Sequence, residues 1–251
     1  MKKFQMFLGV LTLMITTSAF AQTVPMADRG VTLNKGQGEV GLDFTLGLSK
    51  SMVAKTYGIY TGFVADHYSG LSFGYGVIDN LEVGLAIDAM RHVPNSTDFG
   101  GATIYGKYAF IPNMLGAELG IVLPGKNFGD NRLGLDIGVP FQYIAIPGML
   151  KLYVRPDFII DFSKFHDDFG FTLEADLGAV FNVTPELWLQ LGFGISKLLK
   201  PDVGGVCVPL GLQVGYTVLP QLDLGLSFNF EDLKGQKADG RNLGIHAAYR
   251  F

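Results

Sequence analysis

The chain has 251 residues, of which 48% are hydrophobic and 17% charged, with a formal charge of -4 at neutral pH and 34 glycines. That apolar content is enough for one large domain. The acidic balance argues against a nucleic-acid surface, and glycine well above the usual ~7% argues against a helical protein, because glycine weakens helix interiors. Cys207 is the single cysteine, which rules out an internal disulfide framework and reads simply as a small buried or wall residue.

In chain order, Lys2 and Lys3 precede an apolar run from Phe7 to Ile15, and Ala19-Phe20-Ala21 supplies a small-x-small cleavage signal. Residues 1–21 therefore read as a secretory signal peptide, with a mature chain starting at Gln22. Residues 22–36 carry no period and are expected to form a short periplasmic leader to a domain spanning 22–251. No later run reaches the ~18 apolar residues a membrane helix needs, so any span has to be a β-barrel.

Strand periodicity then takes over. Val40, Leu42, Phe44, Leu46 and Leu48 alternate with Gly41, Asp43, Thr45, Gly47 and Ser49, giving a strand with one apolar face. Leu71, Phe73, Tyr75 and Val77 run into Ile78-Asp79-Asn80, after which Leu81, Val83, Leu85 and Ile87 resume the same face, the pattern of a tight hairpin. Tight connections recur at Ile111-Pro112-Asn113-Met114, Ile146-Pro147-Gly148-Met149, Val183-Thr184-Pro185-Glu186 and Leu219-Pro220-Gln221, with prolines that a ladder interior would reject.

Longer polar connections at 50–67, 92–98, 124–131, 163–168, 199–204 and 233–240 alternate with the short ones. The strands between them fall near 37–49, 68–77, 81–91, 99–110, 115–123, 132–144, 150–162, 169–182, 187–198, 205–218, 222–232 and 241–251. The expected fold is all-β, a transmembrane antiparallel up-and-down barrel of 12 strands, with 10 or 14 left open by one hairpin of uncertainty. Residues 55–67 are the source of that uncertainty, since they could extend the second strand, form a short helix or fold inward.

An eight-stranded barrel is about as wide as side chains can fill, so a twelve-stranded one needs a polar interior and an apolar outside. Asp136, Lys151, Arg155, Asp157, Asp161, Glu174, Asp176 and Asp223 share the polar face, and the strand centres carry no charge on the other. Aromatics such as Tyr108, Phe110, Phe141, Tyr143, Tyr216 and Phe251 fall towards strand ends on the apolar face, where interfacial girdles form.

In the final stretch, Leu243, Ile245, Ala247, Tyr249 and Phe251 occupy one face of a strand and Asn242, Gly244, His246, Ala248 and Arg250 the other. This resembles the closing strand of Gram-negative outer-membrane β-barrels, whose terminal Phe is read by the barrel-assembly machinery. The resemblance implies secretion across the inner membrane, residence among outer-membrane lipid and that machinery as a partner. The hairpin from Leu71 to Leu85 is similar to one frequent in outer-membrane proteins, some associated with aromatic-compound degradation operons, which implies a transporter-like barrel.

Two polar groups are candidates for a solute pathway. Glu82, Lys107 and Glu118 lie near the short-turn end, with Lys107 opposite Glu118; Asp136, Lys151, Arg155 and Asp157, accompanied by Tyr153, form the second group, with Glu174 and Asp176 on the next strand. The first group could be an ionic filter or a wall-stabilising network. Acids outnumber bases, so the expected function is a polar-lined channel or passive transporter for small solutes, with a mild cation or neutral-solute preference. The alternative is a structural or adhesive barrel with a plugged lumen that acts through its loops. A rim hydrolase using His67 beside Asp66, His92, or His166 beside Asp167 and Asp168 is disfavoured, because no serine or acidic pair stands at the spacing of the known rim enzymes. The expectation is a protein that is not an enzyme, with no cofactor and no metal site, the histidines lacking ligand spacing. The segment 234–240 reads as a solvated loop rather than a phosphate cradle.

Overall fold

A computed structural model describes residues 23–47, 55–57, 69–88, 90–93, 96–126, 133–162, 170–199, 206–230, 232–233 and 241–251; the expected signal peptide and most of the long connections lie outside them. Among the described residues fifteen strands are formed: β1 (Gly38–Gly47), β2 (Lys55–Tyr57), β3 (Ser69–Ile78), β4 (Leu81–Asp88), β5 (Met90–Val93), β6 (Ser96–Ile111), β7 (Leu115–Lys126), β8 (Gly134–Gly138), β9 (Phe141–Ile146), β10 (Leu150–Asp161), β11 (Gly170–Asn182), β12 (Leu187–Leu198), β13 (Leu210–Leu219), β14 (Leu222–Phe230) and β15 (Arg241–Arg250).

Their pairing closes a circle. Each strand is antiparallel to its neighbours in the circuit β1-β3-β4-β6-β7-β8/β9-β10-β11-β12-β13-β14-β15, and β15 returns to β1 with Val40 opposite Tyr249 and Gly47 opposite Asn242. Counting the collinear β8 and β9 as one, and β5 as the outer end of the β4 line, the barrel has the twelve staves that the alternation of short and long connections requires. The extra strand is β2, which lies opposite Phe44–Leu46 of β1 on one side and Met90–His92 of β5 on the other. Pairing of β1 with β3 stops at Leu42 opposite Leu71, and β2 takes up the ladder from Phe44 to Leu46. The described part of residues 55–67, Lys55–Tyr57, is thus a separate short strand, which is none of the three readings open for it.

Local chemistry explains the breaks. The continuous strand expected over 132–144 is divided at Val139-Pro140, since proline cannot donate to a ladder. The Pro140 carbonyl still accepts from Gly116 N at 2.9 Å, and Val139 N donates to the Pro156 carbonyl at 2.9 Å, so the wall stays continuous across the break. Asn80 and Asn113 take positive φ of 67° and 59°, and Gly148 takes 72°, each in a tight turn. In Ile111-Pro112-Asn113-Met114 and Ile146-Pro147-Gly148-Met149 the fourth residue's N–H donates to the first carbonyl at 3.0 Å, with proline and then the left-handed residue in the order of a type II turn.

Burial is inverted relative to a water-soluble protein. Phe44, Ile104, Leu191, Leu226 and Ile245 are each at least half exposed, whereas Asp43, Thr45, Glu82, Asp136, Asp157 and Asp223 are buried. Large contiguous apolar surface on a soluble monomer is rare. A barrel standing in hydrocarbon gives this arrangement on every strand. Tyr108, Phe110, Tyr143, Tyr216 and Phe251 are exposed on the same outer surface, with Tyr108 and Phe110 edge to face at 5.3 Å between centroids.

Ile245, exposed by 56% at the middle of β15, gives a direct check on the outward face. Ile245→Arg is expected to destabilise the lipid-embedded barrel by about 2–4 kcal/mol, measured as a shift in the denaturant midpoint of folding into vesicles. An inward-facing position on the adjacent strand β14, Ser227→Arg, serves as the comparison and is expected to shift the midpoint less.

Candidate functional site

The polar face of the strands encloses a cavity of about 920 Å³. Its floor, at the short-turn end, is made by the chain's own N-terminal segment. Residues 23–37, which carry no period in the sequence, cross that end as a 3-10 turn over Met26–Asp28 followed by irregular chain that bends at 31–32 and turns at 35–36. The segment is held contact by contact from successive hairpin ends. Ala27 is fully buried and its N–H donates to Asn182 Oδ1 at 2.9 Å; Gly148 N donates to Asp28 Oδ1 at 2.6 Å. Lys151 Nζ donates to the carbonyls of Met26 at 3.0 Å and Arg29 at 3.3 Å. Gln142 Nε2 bridges the carbonyls of Arg29 and Asn113 at 2.9 and 3.0 Å. Leu33 N donates to Glu82 Oε2 at 2.9 Å.

Gly76 shows how closely the segment lies on the wall. A Cβ there would overlap the backbone of Asn34, and the Gly76 carbonyl accepts from Gly36 N at 2.7 Å. A side chain at 76 would lift the segment off.

Arg29 reaches furthest. Its Nη1 and Nη2 donate to Asp223 Oδ2 and Oδ1 at 2.6 and 3.0 Å, a two-pronged contact between the segment and β14. The same carboxylate accepts from Thr217 Oγ1 at 2.6 Å and Arg250 Nη1 at 2.7 Å, and Arg250 also stands 3.6 Å from Glu39. The N-terminal segment, β13 and the last strand therefore meet on one buried carboxylate, and Arg250 carries the contact on to Glu39 of β1.

The residues singled out from the sequence fall into two walls. Lys107 lies directly opposite Glu118 on β7 and directly opposite Glu82 on β4, and it pairs with Glu82 at 3.3 Å, not with Glu118. Tyr105 Oη donates to the same Glu82 at 3.1 Å. Glu118 belongs with the other group, where the Arg155 guanidinium meets Asp157 at 2.9 Å, Glu118 at 3.3 Å and Asp136 at 3.6 Å. Lys151 points away from that group to the floor segment. Glu174 accepts from Ser196 Oγ at 2.9 Å, and Asp176 lies opposite Arg155 in the ladder and lines the cavity. Of the nine, Glu82, Lys107, Lys151 and Asp176 line the cavity; the Arg155 cluster is folded against its wall.

Four inward rings share one arrangement. Tyr105 lies over Gly84, Tyr153 over Gly178, Trp188 over Gly215 and His246 over Gly225, each glycine being the residue directly opposite on the next strand and each having a ring where its Cβ would be. Glycine opposite an aromatic lets the ring lie flat along the wall, which leaves the middle of the cavity open. Trp188 is fully buried with its ring centroid 5.8 Å from that of His246, and Gln213 Nε2 lies 2.8 and 2.5 Å from the two His246 ring nitrogens.

Arg29, Gln142, Trp188, Gln213 and Arg250 were not among the sequence candidates. Parity was the available signal for the last four, since each falls on the polar face of its strand; Trp188, like Tyr105 and Tyr153, is an aromatic that breaks the outward pattern. Nothing local marks Arg29. The pairs Asp66-His67 and His166-Asp167 lie outside the described residues, and His92 contributes backbone pairing to β5. Among the described residues no cluster of three or more His, Cys, Asp or Glu could hold a metal ion.

No protein-family model matches this sequence, and no curated protein matches it. Solved structures do match in fold. The NanC porin superposes with a TM-score of 0.56 at 7% identity over 83% of this chain and 98% of its own, and the KdgM porin with 0.52 at 9% over 84% and 99%. A loop-deletion form of OmpT, an outer membrane protein of Vibrio cholerae, matches at 12% identity, 85% and 98% coverage and a TM-score of 0.46. The fold is that of the outer-membrane porin barrels.

Arg155 is half surrounded by three carboxylates, so Arg155→Met leaves like charges facing one another in the wall. The expected cost is about 3–5 kcal/mol, read as a lower unfolding temperature in detergent, and Arg155→Lys is expected to recover part of it.

Proposed function

We propose that the protein is an outer-membrane channel or passive transporter for small solutes in a Gram-negative bacterium, reached by secretion across the inner membrane, with its short turns in the periplasm. The reading rests above all on one observation: a cavity of about 920 Å³, lined by charged side chains such as Asp43, Glu82, Lys107, Asp176 and Asp223, lies inside a barrel whose outer surface is apolar. The likeness to porin barrels supports it at the level of fold. Solutes that are neutral or cationic fit best, because the described residues that line the cavity include six acids, Asp28, Glu39, Asp43, Glu82, Asp176 and Asp223, against four bases, Arg29, Lys107, Lys151 and Arg250. The protein is not an enzyme in this reading. Passage, not bond chemistry, is what paired charges and flat-lying rings serve. The final strand ending at Phe251 is what the assembly machinery would engage.

The N-terminal floor favours a second reading, a barrel closed at its periplasmic mouth that acts through its outer loops. The two differ in what happens when the floor is loosened. Arg29→Ala removes the two bonds to Asp223, the floor's link to β14. In planar bilayers the channel reading expects discrete conductance steps from the wild type, with mild cation preference, and larger or longer openings from Arg29→Ala. A wild type and variant that both stay silent, while still migrating as folded barrels in unheated gels, would transfer the function to the loops.

A further inference from the structure

The carboxylates of the lower cavity have their cations or donors supplied by the fold: Glu82 has Lys107, Tyr105 and Leu33 N, and Asp223 has Arg29, Arg250 and Thr217. Asp43 is different. It sits near the middle of β1, facing inward and lining the cavity, only 4% exposed, and its Oδ2 has no hydrogen-bond partner. Two residues further along the same face, Thr45 is 3% exposed and its Oγ1 also has no partner. The side chain directly opposite Asp43 is His246, which is engaged by Gln213.

The surroundings are oxygen-rich. Thr45 and Ser227 flank Gly244 in consecutive ladder positions, and both hydroxyls lie over it, within reach of the place where a Cβ would be. Asn229, the next inward residue on β14, carries a further buried oxygen, Oδ1, without a partner. A buried carboxylate that lacks a donor is costly, and so is a buried hydroxyl. What this wall lacks is a donor-rich cation.

We propose that Asp43 and Thr45 form a binding station for solutes carrying a primary ammonium group. Such a group brings three N–H donors and no acceptor, the complement of a carboxylate, a hydroxyl and further oxygens along the wall. One carboxylate and a few wall oxygens fall short of the roughly six to eight oxygen ligands that a calcium ion gathers. The cavity has room for the rest of an organic molecule, being of the size that small-ligand sites have. The station rests on the channel reading only for the route by which solute arrives.

The test uses the full chain folded in detergent, with n-butylammonium chloride as probe and tetramethylammonium chloride as a cation of equal charge without N–H donors. Calorimetry is expected to show n-butylammonium binding that is weakened about tenfold by Asp43→Asn, the loss of one charge-assisted bond, and several-fold by Thr45→Val, with tetramethylammonium binding poorly to all. Unheated gels establish that both variants fold; should Asp43→Asn fail to, Thr45→Val decides. Equal affinity in the variants, or equal binding of tetramethylammonium, overturns the station. Binding is read without conduction, so a silent barrel that binds n-butylammonium rejects the channel and keeps the station, whereas a conducting barrel that does not bind it rejects the station alone.

Discussion

Every backbone N–H and C=O that stands in hydrocarbon has to be paired within the protein, and the whole structure follows from that condition. A sheet can meet it only by closing. Here the final strand returns to the first with nine residue pairs in register, from Glu39 opposite Arg250 to Gly47 opposite Asn242. The irregular parts obey the same rule. Pro140 has no N–H, yet its carbonyl is taken by Gly116, and β2 pairs where β1 extends past the start of β3. Once the edge is gone, the two faces of each strand meet different surroundings, lipid and interior, and alternation of side chains does the rest.

The interior then poses an electrostatic problem that the chain solves mostly with its own groups. Arg155 is matched by three acids, Lys107 by Glu82, and Asp223 by two arginines. One of those arginines, Arg29, lies 194 residues from its partner in sequence and belongs to the segment that floors the cavity. The segment is fixed largely by polar bonds from separate hairpin ends. Such bonds are individually modest, and partners that water can also satisfy are exchanged more readily than packed apolar surface.

Much of the fold could be read from the sequence because a strand between lipid and a polar interior has the simplest of patterns, period two with one face free of charge. Leu243, Ile245 and Ala247 against Gly244, His246 and Ala248 state both the strand and its orientation. Short turns were legible through proline and asparagine, down to the left-handed Asn80 and Asn113. The split at Pro140 was also written there, in a residue that a ladder interior does not accept. The three-residue β2 was not, being too short for any period to show.

The candidate site was less legible. Parity places Lys107 and Glu82 on the same face, but which acid a base chooses depends on side-chain reach across a curved wall; Lys107 faces both Glu82 and Glu118 and takes the first. The floor left no trace at all in periodicity, because residues such as Ala27, Asp28 and Arg29 are each held by a different hairpin and so follow no repeat. Asp43 could be seen as an inward acid and no more, since the lack of a partner is a property of the assembled wall.

The central claim is that the apolar face looks out to lipid and the polar face in. Spin labels placed singly at each position from Leu243 to Tyr249, in a Cys207→Ser background reconstituted in vesicles, report it through collision with oxygen, which favours lipid, and with a water-soluble nickel chelate. The account predicts oxygen maxima at Leu243, Ile245, Ala247 and Tyr249 and chelate maxima at Gly244, His246 and Ala248. The opposite phase, or no alternation, would contradict it.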